Sequence, residues 1–379
     1  MKDNIPELES LRGIAALIVV CTHFMILSPW MFDPIPIRSL DWFALLMRYS
    51  PLRILIGGYG SVVLFFVLSG FVLSIKFWNN SSDSYLIFAT RRMMRIYPPY
   101  YAAVGLAIIL NSAFPYHPIG ALSHWFNELS RHVEPTPALL SGHALLVGTF
   151  DLSAYDSVIW SLVHEMRISL IFPLLMFVLA RGSLALGLLF TLTLVAIADM
   201  TRPWLGEYSA SILFSSHFAM GALLAKHFRT FTELIEKLSN KNITALLVIA
   251  ILGCFYVKSP APYGFTIFSI TSLLSAASAC LLVVIAVAVP TVSRLLLTNT
   301  ARFFGRISYS LYLFHCVILL LAVNVFYGKL PLPLILAGTF GVSTAVATLS
   351  YRWIEKPAIR LGRRLTQAGK SRVAGVVSP

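Results

Sequence analysis

Long apolar runs alternate with short polar stretches along the whole chain. Leu11–Leu27, Ile54–Trp78, Ser209–Leu224, Phe265–Val289 and Ile307–Phe326 are the clearest, and a helix crosses a bilayer with roughly 17–25 such residues. Together with the shorter runs between them, the pattern predicts about ten helical spans, at 11–29, 55–77, 93–113, 159–179, 184–199, 209–226, 243–257, 267–289, 306–326 and 331–353. The fifth and seventh are short, and are expected to be tilted or partly buried. The longest polar stretch, 114–158, is rich in histidine and proline (His117, His124, His132, His143, Pro115, Pro118, Pro135, Pro137). It is expected as a non-cytoplasmic loop with a short helix around Ala138–Thr149. No internal repeat is visible. After Arg364 the chain is small, polar and basic, so a membrane domain at 1–364 and a disordered cytoplasmic tail at 365–379 are expected.

Composition agrees with this pattern. Of the 379 residues, 58% are hydrophobic and 12% charged, whereas a soluble domain is about 25% charged. The expected fold class is an all-α polytopic membrane protein. The net charge of +13 does not indicate nucleic acid, because Lys and Arg sit at the ends of the apolar runs, where they set topology. With the N-terminus placed inside, the inner segments hold 21 Lys/Arg and the outer ones seven, with Arg167 inside a span. That asymmetry predicts cytoplasmic termini and an even number of spans. The first run is read as a retained helix, since the residues before it include Asp3, Glu7 and Glu9 and no small-residue cleavage site follows. Cys21, Cys254, Cys280 and Cys316 all lie in expected spans without metal-ligand spacing, and are read as packed thiols with no metal site.

Ionisable groups inside spans are costly and mark function. Five stand out: His23, Glu165, Arg167, His217 and His315. Eleven residues separate Arg12 from His23, which returns a helix to within about 20° of its starting direction over about 16 Å. The two therefore share a face, with Arg12 at the cytoplasmic edge and His23 near mid-membrane. His217 is read as a helix–helix hydrogen-bonding group, and Arg167 as a structural charge facing Glu165 or an outer carboxylate. Arg92 and Arg95 lie three apart at the expected cytoplasmic entrance to the third span. They read either as a topological anchor or as a clamp for phosphate oxygens, which arginine fits well. The small residues around Gly58-Tyr59-Gly60-Ser61 and Ser69-Gly70 suit close helix packing. They are not a nucleotide loop, since no strand precedes them.

The motifs Arg12-x10-His23, Gly60-x4-Phe65-Phe66-x2-Ser69-Gly70-Phe71, Arg92-x2-Arg95-Ile96-x-Pro98, Trp160-Ser161-Leu162-x2-Glu165, Ile307-Ser308-Tyr309-Ser310-Leu311-Tyr312-Leu313-x-His315 and Glu355-Lys356-Pro357 occur in this order along nearly the whole chain. In this the sequence resembles the integral-membrane acyltransferase 3 family, which O-acylates bacterial surface polysaccharides, lipid-linked glycans and some secreted small molecules. The resemblance implies a multi-pass protein of the bacterial cytoplasmic (inner) membrane with no permanently bound cofactor. The donor would be cytoplasmic acyl-coenzyme A, acetyl-coenzyme A as the commonest expectation, and the acceptor a saccharide or lipid-linked glycan. It implies catalytic roles for His23, Arg12 and Glu165, donor binding by Arg92, Arg95 and Arg12, and supporting or acceptor-binding roles for Trp160, Ser161, Tyr309 and His315. Two departures stand out. Ile168, Ser169 and Leu170 replace an aromatic pair common in the family after Glu165, and no esterase-like domain is recognised after the membrane part, so a stand-alone form is expected.

Neutral histidine is a natural general base toward a sugar hydroxyl, which makes His23 the candidate base; direct transfer and a covalent acyl-histidine both remain open. The alternative reading is a proton-coupled transporter or glycan flippase using the same buried His and Glu. Against it stand the absence of an inverted repeat and the full motif set. The charge asymmetry gives a direct expectation: a cysteine replacing Lys237 is labelled only from the cytoplasm, and one replacing His132 only from the other side. Labelling of both from one side would overturn the ten-span topology.

Overall fold

A few residues that cap or break the backbone pattern set the helix boundaries. The computed structural model describes residues 5–33, 35–79, 84–114, 116–130, 132–256 and 265–376. Helix α1 (Pro6–Met25) begins with a proline, whose missing N–H would be unpaired there anyway, and with Glu7 and Glu9 at the positive end of the helix. After a connection of short helices comes α2 (Gly58–Trp78). Ser84 caps α3 (Tyr85–Ala113) by accepting from the Ile87 N–H, and Thr136 caps the short α4 (Pro137–Leu145) through the Leu139 N–H. Then follow α5 (Ile159–Arg181), α6 (Leu184–Leu205), α7 (Glu207–Lys226), α8 (Asn240–Ile251), α9 (Phe265–Ala288), α10 (Asn299–Phe326), α11 (Leu332–Ser350) and α12 (Lys356–Val376). Only Gly206 separates α6 from α7; it sits at φ 51°, where glycine meets little steric cost. Two π turns interrupt the pattern, Leu252–Tyr256 after α8 and Tyr351–Glu355 between α11 and α12. Lys2, Arg131 and Lys258, which entered the charge balance, lie outside the described residues, as do Asp3 and residues 377–379.

Among the described residues there is no strand, and nine helices are long and apolar enough to cross a membrane. The chain is an all-α, polytopic membrane protein. The short span expected at 243–257 is the shorter apolar helix Asn240–Tyr256. The fifth span does not stop at 199 but runs on to Leu205, because helical hydrogen bonding continues past Asp199, where the apolar run ends.

Contacts divide the chain into two compact units. One comprises Met1–Ser81, Gly120–Trp125 and Val163–Ser308; the other comprises Ser82–Ile119, Phe126–Leu162 and Tyr309–Pro379. In the first unit α2 is the central element, with α1, α7 and α9 packed on it. Glycine sets the closeness of that packing. A Cβ on Gly70 would overlap the Phe218 carbonyl of α7, and a Cβ on Gly221 of α7 would overlap the Val67 carbonyl of α2. Gly13 and Gly305 permit a similar backbone contact between α1 and the start of α10. Lys226, in the last turn of α7, donates to the Leu179, Ala180 and Gly182 carbonyls (3.0, 3.2 and 2.8 Å). These lie at the end of α5, where carbonyls lose their helical partners.

In the second unit α12 and the Tyr351–Glu355 turn pack on α3. Ala358, Gly362 and Thr366 are buried at four-residue spacing. Gly362 lies against Met94, and Arg91 Nε donates to Thr366 Oγ1 at 2.9 Å. This small-residue face holds the helix as far as Thr366, and the backbone of 365–376, expected as a disordered tail, is helical.

Gly221→Leu tests the close approach of α2 and α7. Overpacking typically costs about 1–3 kcal/mol, and here the obstacle is a backbone carbonyl. The apparent melting temperature in detergent should fall, whereas Gly338→Leu, whose side-chain position is open, should leave it unchanged. Equal melting of the two variants would overturn the packing described.

Candidate functional site

In the first unit three motifs far apart in sequence meet through one hydroxyl. Arg12 Nη2 donates to Ser69 Oγ at 3.2 Å, and Ser69 Oγ donates to Glu165 Oε1 at 3.1 Å. The bonds span 57 and 96 residues and join α1, α2 and α5. Ser69 is buried, while Arg12 and Glu165 are half-buried. A guanidinium and a carboxylate are thus tied to one fixed donor–acceptor between them.

His23 is half-buried near the end of α1. Its Nδ1 lies 3.0 Å from the Val19 carbonyl. A carbonyl only accepts, so Nδ1 carries the proton and Nε2 presents the lone pair of a base. The ring also contacts Trp125, with centroids 5.5 Å apart. Trp125 is held there by Ser123, whose N–H donates to the Leu27 carbonyl (2.8 Å) and whose Oγ donates to the Ile26 carbonyl (2.6 Å). The 114–158 stretch therefore supplies a platform for His23, which its polarity alone did not reveal.

Beside Glu165 the sequence reading passed over His164. It is buried, and its Nδ1 lies 2.8 Å from Ser211 Oγ, to which Arg167 Nη1 also donates at 3.2 Å. Arg167 reaches Glu207 at 3.8 Å and covers the Tyr208 ring at 4.3 Å. Of the two carboxylate partners considered for Arg167, Glu207 is the one it is seen to meet. His217 behaves as a helix–helix hydrogen-bonding group: its Nε2 is 3.0 Å from Ser272 Oγ, which is 2.6 Å from Tyr59 Oη.

In the second unit Arg92 is buried and Arg95 half-buried, both on α3. Tyr309 Oη of α10 donates to the Ile96 carbonyl at 2.9 Å. Ser161 Oγ lies 2.7 Å from Tyr312 Oη, which also donates to the Val158 carbonyl at 3.3 Å; Trp160, between these contacts in sequence, is half-buried. His315 is fully buried, and its Nδ1 is 3.0 Å from the Leu311 carbonyl. It thus adopts the same tautomer as His23, with Nε2 3.5 Å from Cys316 Sγ. Ser310 Oγ donates to Glu355 Oε2 at 2.8 Å. Glu355 is buried and ends the π turn, which is how the terminal Glu-Lys-Pro motif joins the serine–tyrosine motif of α10.

A family model described as "Acyltransferase domain" matches residues 5–352. Among curated proteins the chain is similar to an "Uncharacterized protein" of Haemophilus influenzae, at 29% identity over 219 residues, covering 52% of this chain and 86% of that one. No solved structure matches.

The Arg12–Ser69–Glu165 arrangement predicts strong coupling. In a double-mutant cycle of Arg12→Met and Glu165→Gln, read as shifts of apparent melting temperature in detergent, the double variant should lose less than the sum of the single losses. Residues in one hydrogen-bonded network couple by about 0.5–3 kcal/mol, and Ser69→Ala should abolish the coupling. Simple additivity would mean that the three residues do not act as a unit.

Proposed function

The chain belongs to the acyltransferase 3 family and is a membrane acyltransferase, and we propose that it transfers an acyl group, acetyl in the first instance, from cytoplasmic acyl-coenzyme A to a hydroxyl of a surface glycan or lipid-linked saccharide. The observation that carries this reading is the hydrogen-bonded joining of Arg12, Ser69 and Glu165. Three of the motifs that define the resemblance thereby become one constellation on three helices. The tautomer of His23 adds a base of the right kind.

Arg92 and Arg95 bind the phosphates of the donor, and Arg12 is assigned a further cationic role toward it. His23 Nε2 takes the proton of the acceptor hydroxyl as its oxygen attacks the thioester carbonyl. The new C–O bond forms, the C–S bond breaks, and the coenzyme thiolate recovers the proton from the imidazolium. Glu165, linked to Arg12 through Ser69, keeps the guanidinium in place while the donor charge arrives. Proton transfer by a positioned base contributes about 10²–10⁴ in rate. With both termini cytoplasmic, the donor side faces the cytoplasm of a bacterial inner membrane.

The test is single-turnover transfer from labelled acetyl-coenzyme A by protein in nanodiscs, with donor binding scored separately. His23→Ala should reduce turnover by about 10²–10⁴ and still bind the donor. Arg92→Ala and Arg95→Ala should instead weaken donor binding by about 1.5–3 kcal/mol. His217→Ala should be mild. If His23→Ala turns over normally and His315→Ala is dead, the base belongs to α10. If acetyl-coenzyme A is neither bound nor consumed, the donor assignment is wrong.

A further inference from the structure

Within the second unit the connection from α3 to α5 does not stay at the end of α3. Three tyrosines of α3 hold the end of α4: Tyr97 Oη donates to the Leu145 carbonyl (2.6 Å), Tyr100 to His143 (3.1 Å) and Tyr101 to Ala144 (2.6 Å). The tyrosines lie 12–16 residues before Ala113, where α3 ends. At 1.5 Å per residue the connection has folded back about 18–24 Å along the helix, a large part of a hydrocarbon core about 30 Å thick. Leu146, fully buried at φ 54°, ends α4, and irregular backbone follows to Val158. Such backbone is tolerated at membrane depth where it is buried in protein or lines a polar cavity.

That fold-back carries polar atoms without a protein partner. His143, Tyr155 and Asp156 are 3%, 6% and 1% exposed. His143 Nε2, Tyr155 Oη and Asp156 Oδ2 are each buried and unbonded. The rest of each group is fixed. His143 Nδ1 is 2.9 Å from Tyr100 Oη, and the His143 ring contacts those of Phe150 and Tyr155 at 4.7 and 5.3 Å. Asp156 Oδ1 accepts from the Val158 N–H at 3.3 Å, and Asp156 lies within electrostatic reach of Tyr100. The Tyr100 proton points to the His143 carbonyl, so Nδ1–H donates to the phenol oxygen and Nε2 is left as an acceptor. An unbonded buried polar group costs about 1–3 kcal/mol, and three so close in sequence and packing need a common reason.

We infer that the cluster of Tyr100, His143, Tyr155 and Asp156 is a binding subsite for an uncharged, hydroxyl-bearing ring: the saccharide part of the acceptor. This rests on the acyltransferase reading above and adds to it the residues that receive the acceptor. A sugar hydroxyl both donates and accepts, which matches a site offering an acceptor at His143 Nε2 and a donor–acceptor at Tyr155 Oη. Burial lowers the His143 pKa to about 4 and raises that of Asp156 well above the usual carboxylate range. Both shifts favour the uncharged form of each group, and the acid form of Asp156 can donate. Asp151 and Glu134 lie within electrostatic reach of His143 and Tyr155, and these acidic surroundings favour a neutral sugar over an acidic one. Its place on α3 also fits the chemistry. Arg95 and Arg92 precede Tyr100 by five and eight residues, about 8 and 12 Å along the helix, so the acceptor subsite lies close to the donor clamp.

The probes are hexyl β-glucoside, hexyl β-galactoside and hexyl α-mannoside, with hexyl β-glucuronide as the charged comparison. Binding to full-length protein in nanodiscs is read without donor, by hydrogen–deuterium exchange of the 137–160 segment. At least one neutral glycoside should protect this segment, and the glucuronide should not. Asp156→Leu and His143→Phe should each raise the half-saturating concentration at least about tenfold, roughly one hydrogen bond. The apparent melting temperature of His143→Phe without glycoside should be held or raised, since the unbonded Nε2 has been removed. No protection in the wild-type protein, or equal protection in the variants, overturns the subsite. So does a large loss of melting temperature in both variants with glycoside affinity kept, which would make the cluster structural. Acetyl-coenzyme A consumption in the same preparation reads the acyltransferase assignment separately, because glycoside binding is measured with no donor present.

Discussion

Ser69 and Gly70 are neighbours on α2, and their roles depend on one another. Gly70 lets the Phe218 carbonyl of α7 approach so closely that no side chain fits between, while Gly221 gives α2 the same access from the other helix. A contact made by backbone on both sides fixes the register of α2, since a slide of one residue would bring a Cβ onto a carbonyl. With the register fixed, the Ser69 hydroxyl has one position, and there it meets both Arg12 and Glu165. A charged side chain deep in a membrane costs several kcal/mol when alone. The small residues of α2 are thus what allow two ionisable groups to be kept within the membrane-spanning part of the first unit.

The two histidines of the resemblance show the same economy. His23 and His315 each give Nδ1–H to the carbonyl four residues earlier on their own helix. Such a bond needs no partner from another element, so it fixes the tautomer however the neighbouring helices pack. Each ring then presents Nε2 as a lone pair. Elsewhere in the spans hydroxyl groups replace charge as the connecting element: Ser211 serves His164 and Arg167, Ser272 links His217 to Tyr59, and Ser310 serves Glu355. Hydroxyls are less costly to bury than ions and can donate and accept at once.

The sequence makes plain whatever depends on a single helix. Span positions follow from hydropathy, and the common face of Arg12 and His23 follows from 3.6 residues per turn, since both lie on α1. The short helix expected around Ala138–Thr149 is present as Pro137–Leu145, its end set by the left-handed Leu146, which composition does not mark. What depends on two helices was not. The 57- and 96-residue separations that Ser69 closes are set by which helices are neighbours, and Ser69-Gly70 was read as packing alone: right for the glycine, incomplete for the serine. The π turn that orients Glu355 has no hydropathy signature. Residues 365–376 look unstructured by composition, yet their backbone is helical; the spacing of Ala358, Gly362 and Thr366 outlines a packing face only as far as Thr366.

The connection between α3 and α5 shows the same limit most sharply, and it also bears on mechanism. Histidine, proline and polar residues made it read as a loop, yet tyrosine hydroxyls of α3 fasten it deep along that helix. Phenols suit this task because each offers one donor to a backbone carbonyl while the ring remains at home among apolar neighbours. The helix that holds the connection also carries Arg92 and Arg95 near its start. In the proposed reaction the thioester carbon and the acceptor hydroxyl must meet, so the residues that hold the two substrates belong on neighbouring parts of the fold. A single helix bearing arginines before its tyrosines, with a connection folded back onto those tyrosines, brings the two chemistries within about 8–12 Å along one axis.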